Sequence, residues 1–145
     1  IMLKIPIASD HAGYELKNKL ISEFNKNYQL TDMGTFSSES VDYPDYAKKL
    51  ANEIDLFRYD KGILICGSGI GMSMVANRFS NVRAALCLNA QMAMLSRQHN
   101  NANILVLGSR LISFEEAIKC LLVFLETEYE GGRHQARLDK FNLVE

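Results

Sequence analysis

The sequence predicts an α/β fold in which a parallel sheet is covered by helices on both faces. Three observations predict it. Short apolar runs alternate with longer amphipathic ones along the whole chain. The run Gly62–Cys66 is apolar at successive positions, as strands buried on both sides are. Polar or glycine-rich residues follow four of the five apolar runs, where the ligands of such sheets bind.

The elements follow in order. Leu3–Ala8 reads as a strand, ended by Asp10, His11 and Gly13. Tyr14–Phe24 places Leu16, Leu20, Ile21 and Phe24 on one helical face. Gln29–Asp32 is a short strand, and Gly34–Asp42 a polar loop. Pro44 sits where helices begin, and Ala47, Leu50, Ala51 and Ile54 supply the buried face behind it. Gly62–Cys66 is the third strand, followed by a glycine loop and a helix over about Met72–Phe79. Ala84–Leu88 is the fourth strand, and Asn89 caps a helix to about Gln98. Ile104–Leu107 is the fifth strand. Ser113 and Glu116 have capping-box spacing ahead of a helix to about Glu128. After Gly131 and Gly132 an extra, more polar C-terminal helix runs into Phe141.

A chain of 145 residues is the size of one domain, here residues 1–145. A net charge of −1 argues against a broad basic field for nucleic acid. No apolar run is long enough to span a bilayer, and no signal peptide opens the chain. Cys66, Cys87 and Cys120 are an odd number, far apart, so a disulfide framework is not expected and a reducing cytoplasm fits. No metal is expected either, because the His, Cys and acidic residues lack ligand spacing.

The sharpest motif is Cys66-Gly67-Ser68-Gly69-Ile70-Gly71-Met72. Alternating glycines between a buried strand and a helix free backbone N–H groups to face an anion. The spacing is not that of a dinucleotide fingerprint, and no Lys-Ser or Lys-Thr follows as in a Walker A loop. Cys66 stands at the strand end just before this loop, where a thiol can serve as base or nucleophile; a buried apolar cysteine is the plainer alternative. His11, beside Asp10, and His99, beside Asn100, both fall at expected ligand-side turns. Arg133 and Arg137 share a helix face, with His134 beside them, and Arg110 follows the fifth strand. Guanidinium forks suit a phosphate monoester. On these residues alone a Cys–His acyl-transfer site and a non-catalytic phosphosugar or nucleotide sensor both stay open.

Six segments, in order, resemble one family. They are Ser9-Asp10-His11-Ala12-Gly13, Asp42-Tyr43-Pro44-Asp45-Tyr46, Gly62 to Gly71, Ser96-Arg97-Gln98-His99-Asn100, Gly108-Ser109-Arg110, and Tyr129 to Arg137. Together they resemble the B-type ribose-5-phosphate isomerases, relatives of the galactose- and allose-6-phosphate isomerases. The resemblance implies a three-layer α/β/α Rossmann-like domain with a five-stranded parallel sheet in the order 2-1-3-5-4. It implies a metal- and cofactor-independent aldose–ketose isomerase of the pentose phosphate pathway, interconverting ribose 5-phosphate and ribulose 5-phosphate. Homodimers, often paired into tetramers, are implied, with active sites shared between subunits.

Carried over residue by residue, Cys66 is the base that moves a proton between C2 and C1. His99 opens the furanose ring, and Asp10 assists. The N–H groups of Gly67, Gly69, Ile70, Gly71 and Met72 hold the enediolate oxygen, with Ser68 and Asn100 adding hydrogen bonds. Arg133 and Arg137 bind phosphate, helped by His11, Arg110 and His134. One branch of the family instead places a basic glutamate at the position of Met72, so this chain resembles the cysteine branch. Ser68 stands where many members carry threonine, and the hydroxyl is kept.

Overall fold

The computed structural model describes residues 3–24 and 28–142. β1 (Leu3–Ser9) leads through a single 3-10 turn into α1 (Tyr14–Glu23). β2 (Tyr28–Asp32), α2 (Tyr43–Asp55), β3 (Gly62–Cys66) and α3 (Ile70–Ala76) follow. β4 (Ala84–Leu86), α4 (Ala90–Asn100), β5 (Ile104–Gly108), α5 (Phe114–Glu126) and α6 (Arg133–Leu138) complete the chain. The five strands form one parallel sheet in the order β2-β1-β3-β5-β4, as the resemblance implied.

Period-2 alternation divides the core. Ile5, Ile7, Ile63, Ile65, Leu105 and Leu107 pack with Leu20 of α1, Ala93 of α4 and Phe124 of α5. Ala8, Leu64, Cys66, Ile104 and Val106 face the other way, onto Leu50 and Ile54 of α2 and Met72 and Ala76 of α3. β3 and β5 are buried at every position because each serves both layers. Among the described residues no helix is long and apolar enough to cross a membrane.

Several boundaries differ from expectation. α3 starts at Ile70 because Gly69 turns the chain at φ +78°, and it stops at Ala76, beyond which Asn77 brackets Ala84 through two side-chain bonds. Asn89 caps α4 as expected, accepting the Met92 N–H at 2.9 Å. α4, however, runs past Gln98 to Asn100, where Asn101 ends it at φ +46°. Only half of the capping box forms. Ser113 Oγ accepts the Glu116 N–H, while the Glu116 carboxylate accepts the Ala90 N–H of α4 at 2.8 Å. α5 ends at Glu126 and α6 at Leu138, each short of the expected limit.

Candidate active site

The carboxyl ends of β1, β3 and β5 are stitched together by main-chain bonds. Asp10 N–H donates to Ile65 O, Ser109 N–H to Cys66 O at 2.9 Å, and Arg110 N–H to Gly67 O at 3.0 Å. Ser109 Oγ donates to Ala12 O at 2.8 Å. Close approach requires glycine at two places. A Cβ at Gly13 would lie 2.6 Å from Ile65 O, and one at Gly108 would lie 2.5 Å from Ser68 O. These contacts draw Asp10, Cys66, Gly67, Ser68, Ile70, Gly71 and Arg110 around one cleft of about 540 Å³.

Within it, Cys66 Sγ accepts the Gly69 N–H at 3.1 Å, and Ser68 Oγ accepts the Ile70 N–H at 3.2 Å. This narrows the expected oxyanion donors. The Gly69 and Ile70 amides are taken up by the loop's own side chains, whereas Gly71 and Met72 occupy the first helical turn, whose N–H groups lack helical partners. Asp10 caps the 3-10 turn through the Gly13 N–H at 3.1 Å and is nearly buried. His11 Nδ1 accepts the Val41 N–H at 3.2 Å, and among the described residues Nε2 has no hydrogen-bond partner. Tyr43, Met74 and Leu111 complete the walls and were not among the expected residues. Tyr43 lies so close over Gly71 that a Cβ there would meet its ring at 2.4 Å. Its place in Asp42-Tyr43-Pro44, at the start of α2, was the available signal.

His99 and Asn100 require a correction. They do not fall at a ligand-side turn but in the last turn of α4. A helix in a parallel sheet runs back toward the strands' amino ends, and Asn101 leads directly into β5. At about 3.3 Å per residue the five-residue β5 separates the two edges by roughly 16 Å. One chain therefore holds Cys66 and His99 at opposite edges of its sheet.

Around His99 a second cluster assembles. Its ring stacks on His134, with centroids 4.5 Å apart and planes 17° from parallel. His134 is buried, and its Nε2 lies 3.5 Å from the Glu130 carboxylate. Arg133 and Arg137, four apart on α6, are both exposed. Arg97, which lies in one of the six segments but has no role assigned there, anchors this end. Nearly buried, it donates to Thr127 O, Asn101 Oδ1 and Ala102 O. The neighbouring Glu130 N–H donates to Gln98 O at 3.1 Å, tying the segment before α6 to α4. A cavity of about 670 Å³ lined by Asn100, Arg83 and Gln135 opens beside it.

One group of potential ligating side chains gathers that sequence spacing did not suggest: atoms of His99, Glu130 and His134 lie within 4.8 Å of one another. Sequence spacing could not show this, since His99 joins the other two only through tertiary packing. Imidazole lone pairs lie in the ring planes, so near-parallel stacked rings do not converge on one ion unless a ring turns.

The geometry agrees with the comparisons. Residues 5–141 match the model of the Ribose/Galactose Isomerase family. Ribose-5-phosphate isomerase B of Escherichia coli is 41% identical over 145 residues, covering 99% of this chain and 97% of its own. A crystal structure of a ribose 5-phosphate isomerase from Thermotoga maritima superposes with TM-score 0.95 at 53% identity, covering 98% of this chain and 99% of that one. Ribose-5-phosphate isomerase B of Mycoplasma genitalium, solved with bound ribulose 5-phosphate, gives TM-score 0.91 at 42% identity, over 97% of this chain and 95% of that one. With a matching model over nearly the whole chain and relatives matched end to end, the protein belongs to the ribose/galactose isomerase family.

Proposed function

We propose that the protein interconverts ribose 5-phosphate and ribulose 5-phosphate through an enediolate, without a metal or cofactor. The observation that carries this reading is Cys66 Sγ, set in the cleft beside Asp10, Ser68 and a glycine loop, in a chain 42% identical to an isomerase solved with ribulose 5-phosphate. In the forward direction the Cys66 thiolate takes the proton from C2 of the open-chain aldose. The C2–H electron pair forms the C1–C2 double bond and the C1 carbonyl becomes O⁻. The thiol then returns its proton to C1. The C2 hydroxyl proton moves to O1, which leaves the C2 ketone. Proton abstraction beside a carbonyl is feasible only where the developing oxyanion is held by fixed donors. The Gly71 and Met72 amides and the Ser68 hydroxyl fill that role.

Ring opening belongs to His99, with Asp10 assisting, and phosphate binding to Arg133 and Arg137 with His11, Arg110 and His134. Because Cys66 and His99 lie at opposite sheet edges of one chain, a complete site combines the Cys66 edge of one protomer with the His99 edge of another. A homodimer, or a tetramer built from such dimers, working in the cytoplasm meets this requirement.

An assay on ribose 5-phosphate, allose 6-phosphate and galactose 6-phosphate with excess chelator tests the reading. Turnover of the pentose phosphate is expected to survive chelation. Inactivity rescued by a divalent ion would overturn the metal-free mechanism, and turnover confined to a hexose phosphate would reassign the substrate.

A further inference from the structure

A lysine with no solvent access anchors the loop beside the cleft. Lys17 of α1 is 0% exposed, though its neighbours on the helix pattern predict only apolar burial. Its Nζ donates to Asp32 Oδ1 at 2.6 Å and to Thr35 O at 2.8 Å, with the Tyr14 and Phe36 rings 5.3 and 5.5 Å away. The same Asp32 oxygen accepts the Gly34 N–H at 2.9 Å. The ammonium therefore grips both ends of the segment 32–35.

That segment prolongs the pairing with β1. Met33 N–H donates to Ile7 O, Ser9 N–H to Gly34 O at 2.7 Å, and Thr35 N–H to Ser9 O at 2.8 Å. Asp10 and His11 come next in the chain. The loop then returns, and the Val41 N–H donates to His11 Nδ1 at 3.2 Å. A ring nitrogen that accepts a hydrogen bond carries no proton, so neutral His11 holds its proton on Nε2. A buried ion pair gives little stability over an apolar side chain of the same shape. What it does supply is directed donors, and its bonds to Asp32 and Thr35 fall at the two ends of the segment 32–35.

We propose that Lys17 is a positioning residue. By clamping the segment 32–35 it sets the path of the loop to Val41, which fixes His11 as the Nε2–H tautomer, a donor for the substrate phosphate. The phosphate clause rests on the isomerase reading; the tautomer clause does not.

The test uses the full chain with ¹⁵N-labelled histidine, Lys17→Met, and long-range ¹H–¹⁵N spectra, the His11 signals being assigned with His11→Gln. The wild type should show His11 solely as the Nε2–H tautomer. Folded Lys17→Met should show a mixture of tautomers, with KM for ribose 5-phosphate raised about tenfold and kcat changed much less. A merely structural lysine would lower the melting temperature and leave the tautomer alone. A folded Lys17→Met with His11 unchanged overturns the proposal, as does a wild type in the other tautomer. If Lys17→Met does not fold, Asp32→Asn removes the charge partner at a partly exposed site and should move tautomer and KM the same way by less. A folded Asp32→Asn with both unchanged overturns the proposal equally. The spectra need no substrate, so a wild type inactive on ribose 5-phosphate would defeat the isomerase reading while the tautomer still decides the role of Lys17.

Discussion

Cys66, Cys87 and Cys120 are all buried, and what distinguishes them is the surroundings of each sulfur. Burial pushes the Cys87 thiol up to about 11 against an opposing hydrogen bond from Ser96, and burial pushes Cys120 up to about 12. Both therefore stay protonated, and inert as nucleophiles, until well above neutral pH. Cys66 instead sits at the cleft, with its sulfur bonded by the Gly69 N–H. Iodoacetamide at about pH 8 should modify Cys66 ahead of the other two, with substrate protecting it, as peptide mass spectrometry can check. Cys66→Ala should abolish both turnover and exchange of the C2 proton with solvent. Substantial activity in that variant would show that another group carries the proton. Arg137, exposed on α6, tests the phosphate grip. A charge-assisted hydrogen bond is worth about 1.5–3 kcal/mol, so Arg137→Ala should lower kcat/KM roughly 10- to 150-fold, chiefly through KM. Unchanged kinetics would make Arg137 ordinary surface charge.

Between elements, the approach of the 3-10 turn to β3 decides where Asp10 and His11 stand. Gly13 has an ordinary negative φ of −95°, so conformational freedom does not explain it. The reason is space, since its Cβ would meet Ile65 O at 2.6 Å and Ile65 Cγ2 at 2.7 Å. Backbone oxygen cannot swing aside as a side-chain tip can. Gly13→Ala should therefore push the turn off β3, costing about 1–3 kcal/mol, and lower kcat by displacing Asp10. Urea melts read together with steady-state kinetics check both effects. Wild-type stability in Gly13→Ala would show that the strand ends have more slack than these distances imply. α4 shows the reverse lesson. Its two further residues, His99 and Asn100, closed by Asn101 and held by Arg97, move His99 from a loop into a helix end.

For the molecule as a whole, the decisive feature is that Cys66 lies at the carboxyl ends of the strands and His99 near their amino ends. If sites are shared across a two-fold axis, mixing Cys66→Ala with His99→Ala protomers creates hybrid dimers. One site of each hybrid carries both defects and the other carries neither. Random pairing should restore about a quarter of wild-type activity, since half the dimers are hybrids with one intact site each. Activity after dissociation and reassociation measures this. Verified subunit exchange without recovery would place both residues in one subunit's site.

Local pattern by itself determined the strands and helices, because a short apolar run or an apolar period of 3.6 is a local property of the chain. Chain order also fixed the glycine loop behind Cys66 and the shared face of Arg133 and Arg137, since both are contiguous or i,i+4 features. Strand order came from likeness to a family, not from the pattern of residues. Tertiary structure alone decided the rest. The burial of Lys17 on Asp32, the stacking of His99 on His134, and the Tyr43 ring against Gly71 all join residues far apart in sequence. So does the parting of Cys66 from His99, because which edge a residue reaches depends on where its helix stops. That stop depends on Asn101 and the hold of Arg97 on Thr127 and Ala102, contacts that exist only once the chain has folded.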